Sequence, residues 1–175
     1  MEINIPKTAL VVLVGVSGSG KSSFAKKHFA KYEIVSSDTC RGIVSNNEND
    51  QTSSGDAFEL FHFILSMRLK NGLLTVADAT NVQADARKKL LDIARFFHVL
   101  PVAIVFDMPQ KLCESRNETR TDRSVSVHVL RRQMHDLKRS LRNLKKEGFK
   151  KIHVFKSEDE VDAVTAIVRE KLYND

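Results

Sequence analysis

The chain has 175 residues, is 42% hydrophobic and 29% charged, and carries a net charge of +6. That balance is of a soluble globular domain and excludes a disordered, fibrous or membrane-spanning chain. No apolar run reaches the length of a membrane span and the N-terminus lacks a signal-peptide pattern, so a cytoplasmic protein with no membrane partner is expected.

One domain over residues 1–175 is expected, long enough for a substantial core. The pI of about 9.4 favours a polyanionic ligand, which nucleotides alone would partly explain. Cys40 and Cys113 stand far apart with no C-x-x-C pair, and six histidines are scattered along the chain. This suits a reducing compartment and argues against a zinc site.

Thr8–Val14 is a continuous apolar run, the pattern of a strand buried on both faces. It leads into Gly15-Val16-Ser17-Gly18-Ser19-Gly20-Lys21-Ser22, which fits G-x-x-x-x-G-K-[ST], and Phe24–Phe29 then reads as a helix. Gly15 and Gly20 permit backbone torsions that a Cβ would forbid. Successive N–H groups and the helix N-terminus can then face a phosphate. Lys21 brings a mobile charge to the β- and γ-phosphates, and the Ser22 hydroxyl is a ligand for Mg²⁺. Gly15, Ser17, Gly18, Ser19, Gly20, Lys21, Ser22 and Ser23 form the expected ATP site.

Glu33–Ser37 reads as a second strand that delivers Asp38-Thr39-Cys40-Arg41 to the same rim, since ligands of open α/β sheets bind beyond the carboxyl ends of the strands. Asn46–Gly55 is a polar loop. Ala57–Leu69 is apolar nearly all round, so a deeply packed helix is expected, with its aromatics in the core rather than forming a base-stacking platform. Gly72 ends that helix. Leu73–Ala77 is a third strand, followed by Asp78-Ala79-Thr80-Asn81 and a helix from about 83 to 97. Two readings stand there: Asn81 as the helix N-cap, or Asp78 with a role beside Mg²⁺ or substrate.

Pro101–Phe106 is the fourth strand. Beyond it Arg116, Arg120 and Arg123 recur at i, i+4 and i+7, so on one helix they would share a face. They are either a solvated face or, in a segment of about 112–125, a lid closing on the triphosphate. A long helix from Ser126 to about Glu147 has Leu130, Met134, Leu137, Leu141 and Leu144 as its apolar stripe and ends at Gly148. Its cationic faces, Arg131 to Lys146, read as solvated surface or as a track for a phosphate backbone. Lys151–Phe155 is the fifth strand, and a final amphipathic helix is expected from about Glu158 to Leu172.

Strands alternating with helices imply an α/β fold of the P-loop kinase kind: a parallel five-stranded sheet flanked by helices, with an arginine-bearing lid. A guanine-reading N-K-x-D motif is absent, which excludes an ordinary GTPase switch. The remaining pattern fits a kinase in which Asp38 takes the proton of the attacking hydroxyl and Arg41 holds an anionic part of the acceptor. A kinase of a sugar or another metabolite, and a nucleotide-dependent switch or binding module, are the alternatives.

Taken together, Gly15–Ser22, Ser36–Arg41, Asp78-Ala79-Thr80-Asn81, the arginine series and Glu147-Gly148-Phe149 resemble the polynucleotide 5′-kinase family, in particular the kinase module of bacterial polynucleotide kinase–phosphatase. The resemblance implies transfer of the ATP γ-phosphoryl, with Mg²⁺, to a 5′-hydroxyl end of RNA or DNA in nucleic-acid repair. It implies Lys21, Asp38 and Arg123 as catalytic residues, Asp38, Arg41 and Thr80 on the acceptor, and Arg116, Arg120 and Arg123 over ATP. Members of the family are joined to phosphatase and ligase domains and many self-associate, so it also implies an N-terminal module of a longer enzyme and a homodimer. Where the family has Pro-Glu after the lid, Ser126-Val127-His128 stands here.

Overall fold

The computed structural model describes residues 1–121 and 125–171. In chain order its strands are β1 (Glu2–Pro6), β2 (Ala9–Gly15), β3 (Ile34–Ser36), β4 (Thr75–Asp78), β5 (Leu100–Phe106), β6 (Lys151–Phe155) and β7 (Ala166–Glu170). The helices are α1 (Lys21–His28), α2 (Ser37–Ser45), α3 (Ser54–Lys70), α4 (Ala84–Phe96), α5 (Gln110–Thr119), α6 (Val127–Leu141) and α7 (Glu158–Asp162). Five strands form one parallel sheet in the order β3-β4-β2-β5-β6.

The centre of the sheet follows from the apolar runs. Every residue of β2 is buried, and Val11 lies between Val76 of β4 and Val102 of β5. A strand covered on both faces has no use for alternation, hence its unbroken Leu and Val. On α1, Phe24 packs its ring against Phe106 and Phe155, with centroids 5.4 and 5.8 Å away. That anchors the helix whose N-terminus opens the phosphate loop.

Four elements differ from expectation. Helix α3 buries Ala57, Phe61, Leu65 and Leu69 at a spacing of four, whereas Phe63 is 61% exposed, so it is packed along one face rather than all round. The long helix stops at Leu141 and continues as a 3-10 turn, Leu144–Lys146. Leu144 stays buried through that turn, and Glu147 reaches the fully buried Arg87 of α4, donor distances 2.6 and 2.7 Å. A buried guanidinium requires such a partner.

The final helix is cut to five residues, capped by Ser157, and the chain goes on as β7. Ile167 and Val168 are β-branched, and β1 offers the segment a parallel ladder from Glu2↔Ala166 to Pro6↔Glu170. This two-stranded ribbon crosses the end of the sheet where strands begin. Lys151, at the start of β6, bonds Asn4 and Glu170, while Glu33, just ahead of β3, pairs bidentately with Arg169. Finally, α5 ends at Thr119 and Arg120 is extended, so Arg116 and Arg120 do not share a helix face; Arg123 lies outside the described residues. Asn117 ends that helix by reaching across to the backbone of Val125.

Candidate active site

The opposite end of the sheet carries a cavity of about 710 Å³. Its floor is the loop between β2 and α1. Gly15 fixes the loop by donating its N–H to the Thr80 carbonyl, 2.9 Å. Its role is close approach rather than unusual torsion: a Cβ there would sit 2.7 Å from Ser19 Oγ. Gly15 itself lies behind the cavity, whereas Ser17, Gly18, Ser19, Gly20, Lys21, Ser22 and Ser23 line it. Gly20 supplies the left-handed turn, φ 94°, that starts α1. Gly18, φ 79°, presses on α5, where a Cβ would meet the Cys113 carbonyl at 2.6 Å. Lys21 is buried, and its Nζ donates to the Val16 carbonyl at 2.7 Å and to Ser19 Oγ at 3.3 Å.

Two strand ends bring carboxylates to this floor. Asp78 closes β4 and is buried; burial pushes its carboxyl up, opposed by the charge of Lys21 and by a hydrogen bond from Ser22, and reinforced by Asp38. Asp38 stands in the first turn of α2, a helix capped by Ser36 Oγ accepting from the Thr39 N–H at 3.3 Å. One turn on, Arg41 is 4% exposed and gives Nη1 to Asp38 Oδ1 at 2.7 Å and to the Glu48 carbonyl at 2.9 Å. Its buried Nε has no hydrogen-bond partner among the described residues. Asp38, Arg41 and Thr80 all line the cavity beside the loop.

The arginines divide. Arg116 reaches the Gly18 carbonyl from α5 at 3.5 Å and pairs with Glu158 of α7, and Arg120 lines the cavity from extended backbone. Asn81 is not a helix cap; Gln83 holds that position. Instead Asn81, φ 48°, donates Nδ2 to the Leu13 carbonyl at 2.8 Å and ties the rim turn to β2. The cations Arg131, Arg132, Lys138, Arg139, Arg142, Lys145 and Lys146 are exposed. Cys40 and Cys113 are buried free thiols, both raised by burial.

Sequence reasoning missed Gln133 of α6, whose Oε1 accepts the Ser17 N–H at 2.9 Å. A signal exists: Gln133 is the uncharged polar residue at inward spacing among Leu130, Met134 and Leu137 of a basic helix. Glu158 and Asp162 of α7 also line the cavity, in a segment whose sequence carries no motif.

The sequence profile of the AAA domain matches residues 10–144, from the central strand through α6. The chain belongs to that AAA-domain family. No curated protein sequence matches it. Among solved structures, this AAA domain is similar to a chain of the Pnkp1/Rnl/Hen1 RNA repair complex, with 19% identity and a TM-score of 0.68, over 79% of this chain and 47% of that one. It thus spans about half the length of that relative. A gluconokinase from Sinorhizobium meliloti matches at 18% identity and TM-score 0.59, over 91% of this chain and 89% of that one. The Mycobacterium tuberculosis APS kinase CysC, in complex with AMPPNP and APS, matches at 21% identity and TM-score 0.51, over 66% and 71%. The fold is that of the P-loop kinases. No described helix of the AAA domain is long and apolar enough to cross a membrane.

Proposed function

We propose that this AAA domain is an ATP-dependent polynucleotide 5′-hydroxyl kinase. The observation that carries the reading is that one cavity joins the phosphate loop to Asp38 and Arg41. The loop amides and Lys21 hold the triphosphate, with Arg116 and Arg120 as its further cationic contacts; Arg123, outside the described residues, joins them on the family resemblance alone. Phosphoryl transfer rests on positioning and cationic contacts, which these residues supply. Asp38 accepts the proton of the attacking hydroxyl. Its partner Arg41 orients it and, through a buried Nε with no hydrogen-bond partner among the described residues, answers an anion at the acceptor end. Thr80 borders the same end.

The Ser22 hydroxyl, hydrogen-bonded to the Asp78 carboxylate beside Lys21, suits Mg²⁺, which takes one or two carboxylates, hydroxyl or water oxygens and substrate phosphates. Ser22 and Asp78 would hold it, and when bound it neutralises charge on the β- and γ-phosphates. We extend the reading to a role in nucleic-acid repair, supported by the likeness to a chain of an RNA repair complex; phosphatase and ligase domains as neighbours and a homodimer as the assembly are carried only by the family resemblance of the sequence motifs.

A metabolite kinase is the second reading. It is favoured by Arg41 Nη1 being held by Asp38 and the Glu48 carbonyl. The likeness to a gluconokinase adds to it. Labelled γ-phosphate transfer from ATP and Mg²⁺ to a short 5′-hydroxyl oligonucleotide, with the 5′-phosphate oligonucleotide as control, separates them. Label on the first alone is expected, and Asp38→Asn should slow it about 10²–10⁴-fold while ATP still binds. No label on either, with ATP bound, moves the assignment to metabolite hydroxyls or to a switch module.

A further inference from the structure

We infer that Gln133 binds the terminal phosphoryl of the nucleotide, supplied to the phosphate loop by α6. The inference rests on reading Gly15–Ser22 as a triphosphate site and is independent of the acceptor.

Four observations lead there. The Ser17 N–H donates to Gln133 Oε1 at 2.9 Å. Because a backbone N–H can meet only an acceptor, that contact sets which end of the carboxamide faces the loop. The Nε2 end, with two donors, therefore faces away from Ser17, and it makes no hydrogen bond among the described residues. The peptide unit Val16–Ser17 is gripped at both ends, since its carbonyl accepts from Lys21 Nζ at 2.7 Å. Gln133 thus works on the same piece of loop as the lysine, and both side chains line the cavity.

The helix that carries Gln133 is firmly held. Leu130, Met134 and Leu137 are buried on the same side, and Ser140 Oγ donates to the Val82 carbonyl at 2.6 Å. The side chain is therefore preorganised, which is what a donor must be to act on developing or transferring charge. Its contact withdraws the Ser17 amide from phosphate binding, and the two Nε2 hydrogens take its place as donors. A neutral carboxamide does this without adding another cation beside Lys21.

The test compares affinities for ADP and for the non-hydrolysable analogue AMPPNP, both with Mg²⁺, by calorimetry. In Gln133→Ala the preference for AMPPNP over ADP should fall about ten- to a hundredfold, the range for a hydrogen bond to a charged group, with ADP affinity nearly unchanged. Gln133→Glu keeps an acceptor for the Ser17 N–H but loses the donors, so its preference should fall at least as far. Equal weakening of both nucleotides by Gln133→Ala, repaired by Gln133→Glu, would make the residue a brace for the loop and overturn the inference. Tighter AMPPNP binding by Gln133→Ala would make it an occluder and overturn it too. Should Gln133→Ala fail to fold, Gln133→Glu decides alone: an unchanged preference refutes the donor role. A parent chain that binds neither nucleotide takes the site reading and this inference down together. One that binds both but phosphorylates no oligonucleotide sinks only the acceptor assignment.

Discussion

The two ends of the five-stranded sheet are built on opposite principles. Where β2, β3 and β4 finish, the chain presents a left-handed Gly20, a buried Lys21, a buried Asp78 and an Asp38–Arg41 pair, each held by one or two hydrogen bonds. Where the strands begin, the β1–β7 ribbon closes the sheet with Ile3 and Ile5, which are 1% and 0% exposed. The first end concentrates charge and unusual backbone, which cost stability; the second concentrates apolar burial, which supplies it. The candidate active site and the structural support are thus separated along the strand axis, and substitutions at the two ends should have effects that do not mix.

The largest effect expected is at the cavity. Lys21→Ala should reduce labelled-phosphate transfer by at least about 10²–10³-fold, with a melting temperature no lower than the parent's, because a buried charge is removed along with the function. A fall in melting temperature comparable to a core deletion would erase the contrast. Next comes the ribbon. Ile5→Ala should cost about 2–5 kcal/mol in urea unfolding, the range for emptying a buried aliphatic site, while AMPPNP affinity holds. Weaker nucleotide binding in the folded variant would mean that the two ends are coupled.

The smallest effect is with pH. His28 on α1 and His153 on β6 are pushed below 6.5, chiefly by burial and then by Lys27 and Lys151 respectively, and each has a buried Nε2 with no hydrogen-bond partner among the described residues. The unfolded chain therefore binds more protons than the folded one, and stability should decline as pH drops through about 6.5. Urea midpoints at a series of pH values check this. The decline should flatten in a His28→Asn, His153→Asn double variant, and a slope identical to the parent's would release these histidines from the account.

The inner strands β2, β4 and β5 could be read from the sequence because strands buried on both faces leave unbroken apolar runs, as in Leu10–Val14 and Val102–Phe106, whereas the edge strands β3 and β6 are only partly buried and were legible from their β-branched residues. The phosphate loop was legible for another reason: its glycines and lysine are each demanded by local backbone and charge. Asp38 and Arg41 followed from their place just beyond a strand. The ribbon escaped because β1 is short and ends at Pro6, and because Ala163–Glu170 admits a helical reading until β1 is there to pair with it. The shared helix face of Arg116 and Arg120 failed since periodicity alone carries no information on where a helix stops; Asn117 and its contact with Val125 decide that. The cap reading of Asn81, one of the two the sequence leaves open, fails because its actual partners, the carbonyls of Leu13 and Ala77, come from two different strands. Gln133 is the same case, a long-range contact with only a weak local trace.

The β1–β7 pairing also sets an order of events. The Thr165 hydroxyl bonds the carbonyl of Met1, 164 residues earlier in the chain. Closing a loop of that size in an unfolded chain costs roughly 4–5 kcal/mol by the logarithmic length rule. A ladder of five residue pairs does not offset that alone, so the intervening sheet must first carry the two strands to within reach. During synthesis β1 is made before the other described strands of this domain and is the last of them to find its partner. Until then Ile3 and Ile5 remain in water, and the interval before the ribbon closes is when this molecule is most exposed to misassociation.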